Sequence, residues 1–89
     1  MIVVLEDDGC LHRYASLEAV VRHIEALDAE ECLRAVFDDD GQRYRIEWIE
    51  PNRKGIGVRN GIYRLVPEGA PDRAALTVML REHSFLILT

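Results

Sequence analysis

Arg43, Arg45, Arg53, Lys54, Arg59 and Arg64 all fall between positions 43 and 64. Anion recognition is the chemistry that such a group could do. The guanidinium is a planar, always-charged fork whose donors match carboxylate and phosphate oxygens. Gly55 and Gly57 lie inside the group and would let backbone amides approach an anion, although no phosphate-loop pattern surrounds them. The competing reading is a solvated sheet face whose arginines pair with Glu47, Glu50 or a nearby aspartate turn.

Other reactive side chains are scattered. His12, His23 and His83 have neither one another nor a cysteine at the close spacing of a zinc site. His12 follows a turn that carries Asp7 and Asp8, and an acid–base pair there lacks a nucleophile. Cys10 and Cys32 form no CxxC and are expected to be small buried residues with free thiols. Asp38, Asp39 and Asp40 are consecutive, whereas a calcium-binding EF-hand alternates its acids and ends on a glutamate. With Gly41 they read as a hairpin turn. No set of nucleophile, base and orienting group can be assembled, so the expectation is a non-catalytic protein without metal or cofactor.

Charge is unevenly spread. The 89 residues carry a net charge of -5, with 48% hydrophobic and 30% charged residues, a globular composition. Positions 1–50 hold thirteen acids against five bases, whereas positions 51–89 hold three acids against six bases. The overall sign argues against wholesale binding to nucleic acid or an anionic membrane. The length suits one domain spanning 1–89. Glu6, Asp7 and Asp8 interrupt the apolar N-terminal run, and no apolar stretch reaches membrane-spanning length. A cytoplasmic domain is expected.

The elements that must position these groups follow from periodicity. Over 16–27, Leu17, Val20, Val21, Ile24 and Leu27 recur at helical spacing behind Ser16, a suitable N-cap. A second helix is expected from Pro71 to His83, with Ala75, Leu76, Met79 and Leu80 on its stripe. Strands are read at 1–5, 10–14, 32–37, 42–49, 56–59 and 62–66. Tyr44, Ile46 and Trp48 alternate with Arg43, Arg45 and Glu47, so one face is core. Asn60-Gly61 suits a type I′ hairpin turn. The sum is an α+β fold: a mostly antiparallel sheet built from hairpins, with two helices packed on one face as a two-layer sandwich. Val20, Ile24, Leu27, Ile46, Trp48, Leu76 and Leu80 are the expected core.

Two functions compete on these grounds. The first is a small protein-binding module, such as an acidic inhibitor or immunity-type protein covering a basic toxin or nuclease by charge complementarity. The alternative is a nucleic-acid or anion-binding domain using the six-residue basic group. Phe85, Leu86, Ile87 and Leu88 are consecutively apolar and predict a homodimer, because a strand exposed on one side would leave alternate residues in water.

Overall fold

The computed structural model describes residues 1–85. Strand β1 (Ile2–Glu6) lies at the centre of the sheet, antiparallel to β2 (Cys10–Tyr14) on one side and β3 (Leu33–Asp38) on the other. Ile2 and Val4 point to one face and Val3 to the other, and all three are buried. A strand with both faces covered needs an unbroken apolar run, and Ile-Val-Val supplies it. Outside β3 come β4 (Arg43–Glu50) and the edge strand β5 (Ile62–Glu68), both antiparallel. The result is a five-stranded antiparallel sheet in the order β5-β4-β3-β1-β2. β6 (Ser84–Phe85) adds two backbone pairs parallel to β2, with Phe85 opposite Leu11. Leu86, Ile87 and Leu88, which with Phe85 were expected to form a dimer contact, lie outside the described residues.

The helical stripe at 16–27 divides. Helix α1 (Leu17–His23) is capped by Ser16, whose Oγ accepts from the Ala19 amide at 3.1 Å. The chain then turns extended at Ile24 (φ -96°, ψ 107°) and restarts as α2 (Ala26–Cys32). The Ile24 carbonyl, which a continuous helix would bond to a later amide, instead accepts from the Tyr63 hydroxyl at 2.6 Å. The break also turns Ala26 and Ala29 inward, where small side chains let α2 approach closely. Leu27 is left half-buried. Helix α3 (Arg73–Glu82) begins two residues later than Pro71 would suggest, with Asp72 Oδ1 accepting from Ala75 at 3.0 Å.

The α+β class is as read, and the helix layer differs in one respect. The two expected helical regions do not share a face. α1 and α2 cover Ile2, Val4, Val36, Tyr63 and Leu65, while α3 lays Leu76 and Met79 on Val3, Leu11 and Phe37 from the other side. The apolar residues of β1 on both faces require this. Two expected core residues are also more open than anticipated: Trp48 is 37% and Leu80 38% exposed. Trp48 meets Tyr63 with ring centroids 5.7 Å apart and planes tilted by 56°. No helix among the described residues is long and apolar enough to cross a membrane.

Burial, then the neighbouring Tyr14, pushes Tyr63 from its ordinary value of 10.0 up to about 12. Stability held by the neutral phenol is therefore complete below pH 10 and is lost as pH rises through about 12. Tyr63→Phe should cost about 1–3 kcal/mol by leaving the Ile24 carbonyl unpaired. Spectrophotometric titration should lose its step near pH 12 in that variant. A Tyr63→Phe protein as stable as the wild type would show that this bond does not hold the break.

Candidate interaction loop

The β4–β5 connection, residues 51–61, is built differently from a two-residue turn. Gly61 does not have positive φ, and among the described residues no non-glycine residue does, so the type I′ turn at Asn60-Gly61 is not formed. Nor is there a strand over 56–59; one isolated bridge joins Arg53 to Arg59 instead. The positive-φ residues are Gly55 (95°) and Gly57 (79°), which make the chain reversal at the tip. Asn60 is not at the turn because its side chain is used elsewhere. Its Oδ1 accepts from the Leu27 amide at 3.0 Å, capping α2, whose own N-cap residue Glu25 makes no side-chain cap.

Asn52 completes the anchor. Its Nδ2 donates to the Ala26 carbonyl at 2.8 Å, and its Oδ1 accepts from the Gly61 amide at 2.8 Å. Lys54 forms an ion pair with Glu30 of α2, and that carboxylate holds the ammonium above its ordinary value. Both legs of the loop are thus tied to one helix. Its tip is bare: Ile56 is fully exposed at 108%, and Val58 is exposed beside it. Ile49, at the bulge where the β4–β5 register shifts, and Ile62 are exposed at the base of the same hairpin. With Trp48 they make five exposed large apolar residues within one hairpin.

The six basic residues do not converge. Arg43, Arg45 and Arg64 share the sheet face of Phe37 by register, whereas Arg53, Lys54 and Arg59 belong to the loop. Glu47 takes two of the first group. Arg64 Nε donates to its carboxylate at 2.7 Å, and Arg45 lies 3.8 Å from it. The Arg43 guanidinium stands 5.9 Å above the Phe37 ring. Among the described residues, neither Arg53 nor Arg59 has a carboxylate at ion-pair distance.

The other candidates occupy structural places. Asp38 spends its carboxylate on the Asp40 and Gln42 amides and the Tyr44 hydroxyl, closing the β3–β4 hairpin. His12 is buried with Nε2 2.8 Å from Glu6 Oε2, at an angle poor for a hydrogen bond, and it is Glu6 rather than Asp7 or Asp8 that it meets. The His23 ring lies 5.6 Å from that of Tyr14, tilted by 53°, and His83 Nδ1 lies 3.0 Å from the Met79 carbonyl. Cys10 and Cys32 are free and half-buried. Burial, then Asp8 and Asp7 respectively, pushes both thiols up, which opposes the thiolate a nucleophile needs.

Periodicity missed the asparagine anchors and the exposed tip. The signal available was two asparagines bracketing a glycine-rich stretch whose apolar residues Ile56 and Val58 face no partner strand. No family model, no curated protein and no solved structure matches this chain.

Proposed function

We propose that the domain is a non-catalytic protein-binding module that docks through the 51–61 loop. The observation that carries this reading is Ile56, fully exposed at the tip of a loop tied to α2 by Asn52 and Asn60. Single exposed apolar residues are ordinary, but a cluster marks an interaction surface. Trp48, Ile49, Ile56, Val58 and Ile62 are all exposed within the one β4–β5 hairpin, which also carries arginines, and tryptophan and arginine are the residue types that most often anchor protein interfaces. Anchoring of the legs favours binding because little freedom remains to be lost.

The nucleic-acid alternative is weaker for a physical reason. Affinity for phosphate backbones grows with the number of cations available. Glu47 occupies Arg45 and Arg64, and Glu30 occupies Lys54. The loop's own charge also argues for a partner with an acidic rim, rather than the basic toxin or nuclease that the acidic half would suit.

Partner capture from a lysate of the source cells tests the reading. Ile56→Asp should leave stability within about 0.5 kcal/mol of the wild type, since the side chain touches nothing. A column of wild-type domain should retain a protein that the Ile56→Asp column releases. Identical retention on both columns overturns the proposal.

A further inference from the structure

Arg53 and Arg59 stand directly opposite each other in an antiparallel bridge, each amide donating to the other's carbonyl at 3.0 Å. Opposed residues of such a pair put their side chains on the same face, with Cα atoms about 5.5 Å apart. Like charges placed there repel and destabilise the pairing. Arginine cannot escape by losing its proton. Helix α2 neutralises the loop's third cation, pairing Glu30 with Lys54. It supplies no carboxylate to Arg53 or Arg59. The two fixed charges are held in place by the same asparagine anchors, with Ile56 midway between them in sequence.

We propose that Arg53 and Arg59 form a carboxylate clamp, taking an acidic side chain of the protein partner while Ile56 enters an apolar recess beside it. The clamp deepens the docking reading and rests on it. One carboxylate between two guanidiniums replaces repulsion by charge-assisted hydrogen bonds from both forks. A carboxylate is preferred to a nucleic-acid phosphate because one carboxylate needs only these two forks, whereas a run of phosphates needs further cations, and Glu47 and Glu30 already pair with Arg45, Arg64 and Lys54. The partner chemistry is therefore an acidic segment with an apolar neighbour, such as alternating glutamate and leucine.

NMR titration of the 15N-labelled protein tests this with three probes: a short synthetic peptide alternating glutamate and leucine, a thymidine oligonucleotide of matched charge, and inorganic phosphate. The peptide should produce saturable shifts at the loop, and Arg53→Gln and Arg59→Gln should each weaken it about tenfold. Arg59→Glu should abolish peptide binding yet raise Tm by about 2 °C, because the opposed pair becomes attractive. That opposition of binding and stability would not arise from a merely structural arginine. Absent peptide binding, unchanged affinity in both glutamine variants, or tighter binding of the oligonucleotide or phosphate overturns the clamp. Peptide affinity lost in Ile56→Asp but kept in the arginine variants would leave the docking loop standing and remove the clamp. The reverse pattern would keep the clamp and remove the apolar docking.

Discussion

Replacing Ile24 by alanine is expected to destabilise the domain by about 2–5 kcal/mol, towards the upper end of that range. Ile24 is buried where α1 stops and α2 begins, in the cluster with Val20, Ala26, Ala29 and Tyr63. The cost of a truncation depends on how far the surroundings can collapse into the space. Here they are pinned. The Ile24 amide donates to the Val20 carbonyl at 2.8 Å, and its carbonyl is held by Tyr63 at 2.6 Å. Neither alanine of α2 can extend to fill the gap. Small domains are stable by about 5–15 kcal/mol, so the loss is a large share of the margin. Urea titration should show a lower midpoint with an unchanged slope. Leu80→Ala, on the exposed side of α3, is the internal contrast and should cost far less. A loss below about 0.5 kcal/mol at Ile24, the scale of surface changes, would remove it from the core.

What was legible in the sequence was what neighbouring residues decide. Ser16 caps α1, Asp38 closes its own hairpin, and Tyr44 and Ile46 alternate with the arginines of β4. What was not legible depends on residues distant in the chain. The break after His23 is held by a hydroxyl 39 positions away, and the apolar spacing of 16–27 contains no trace of it. Asn60-Gly61 has the composition of a tight turn, but a helix amide 33 positions away recruits the asparagine. The placement of α3 could have been inferred, because Val3 between Ile2 and Val4 leaves the second face of β1 needing cover. The basic group is the instructive failure. Its members are close in sequence, yet Glu47 across the strands and Glu30 on α2 decide which charges stay available. With Arg43 over the Phe37 ring, that left Arg53 and Arg59, which oppose each other across the loop.

Gly61→Val is expected to cost about 2–4 kcal/mol, combining overpacking with a lost, partly buried hydrogen bond. The reason is close approach and not turn conformation. A Cβ at Gly61 would stand 2.2 Å from the Glu50 carbonyl oxygen and 2.7 Å from the Pro51 carbonyl carbon and oxygen. These are backbone atoms, so relief requires the β4–β5 connection itself to move. That movement pulls the Gly61 amide from Asn52 Oδ1, and Asn52 is the side chain that also holds the Ala26 carbonyl. The loop would then loosen from α2, carrying Ile56 and the opposed arginines with it. Gly61→Ala already introduces the clashing atom and should account for most of the loss. Gly61→Asn separates the two explanations, because asparagine tolerates the left-handed conformation that a type I′ turn would need. If close approach governs, asparagine is as harmful as alanine in a denaturant titration, and the Gly61 amide loses its protection from exchange. An asparagine variant as stable as the wild type would mean that the residue's conformation, and not the space around it, selects glycine at position 61.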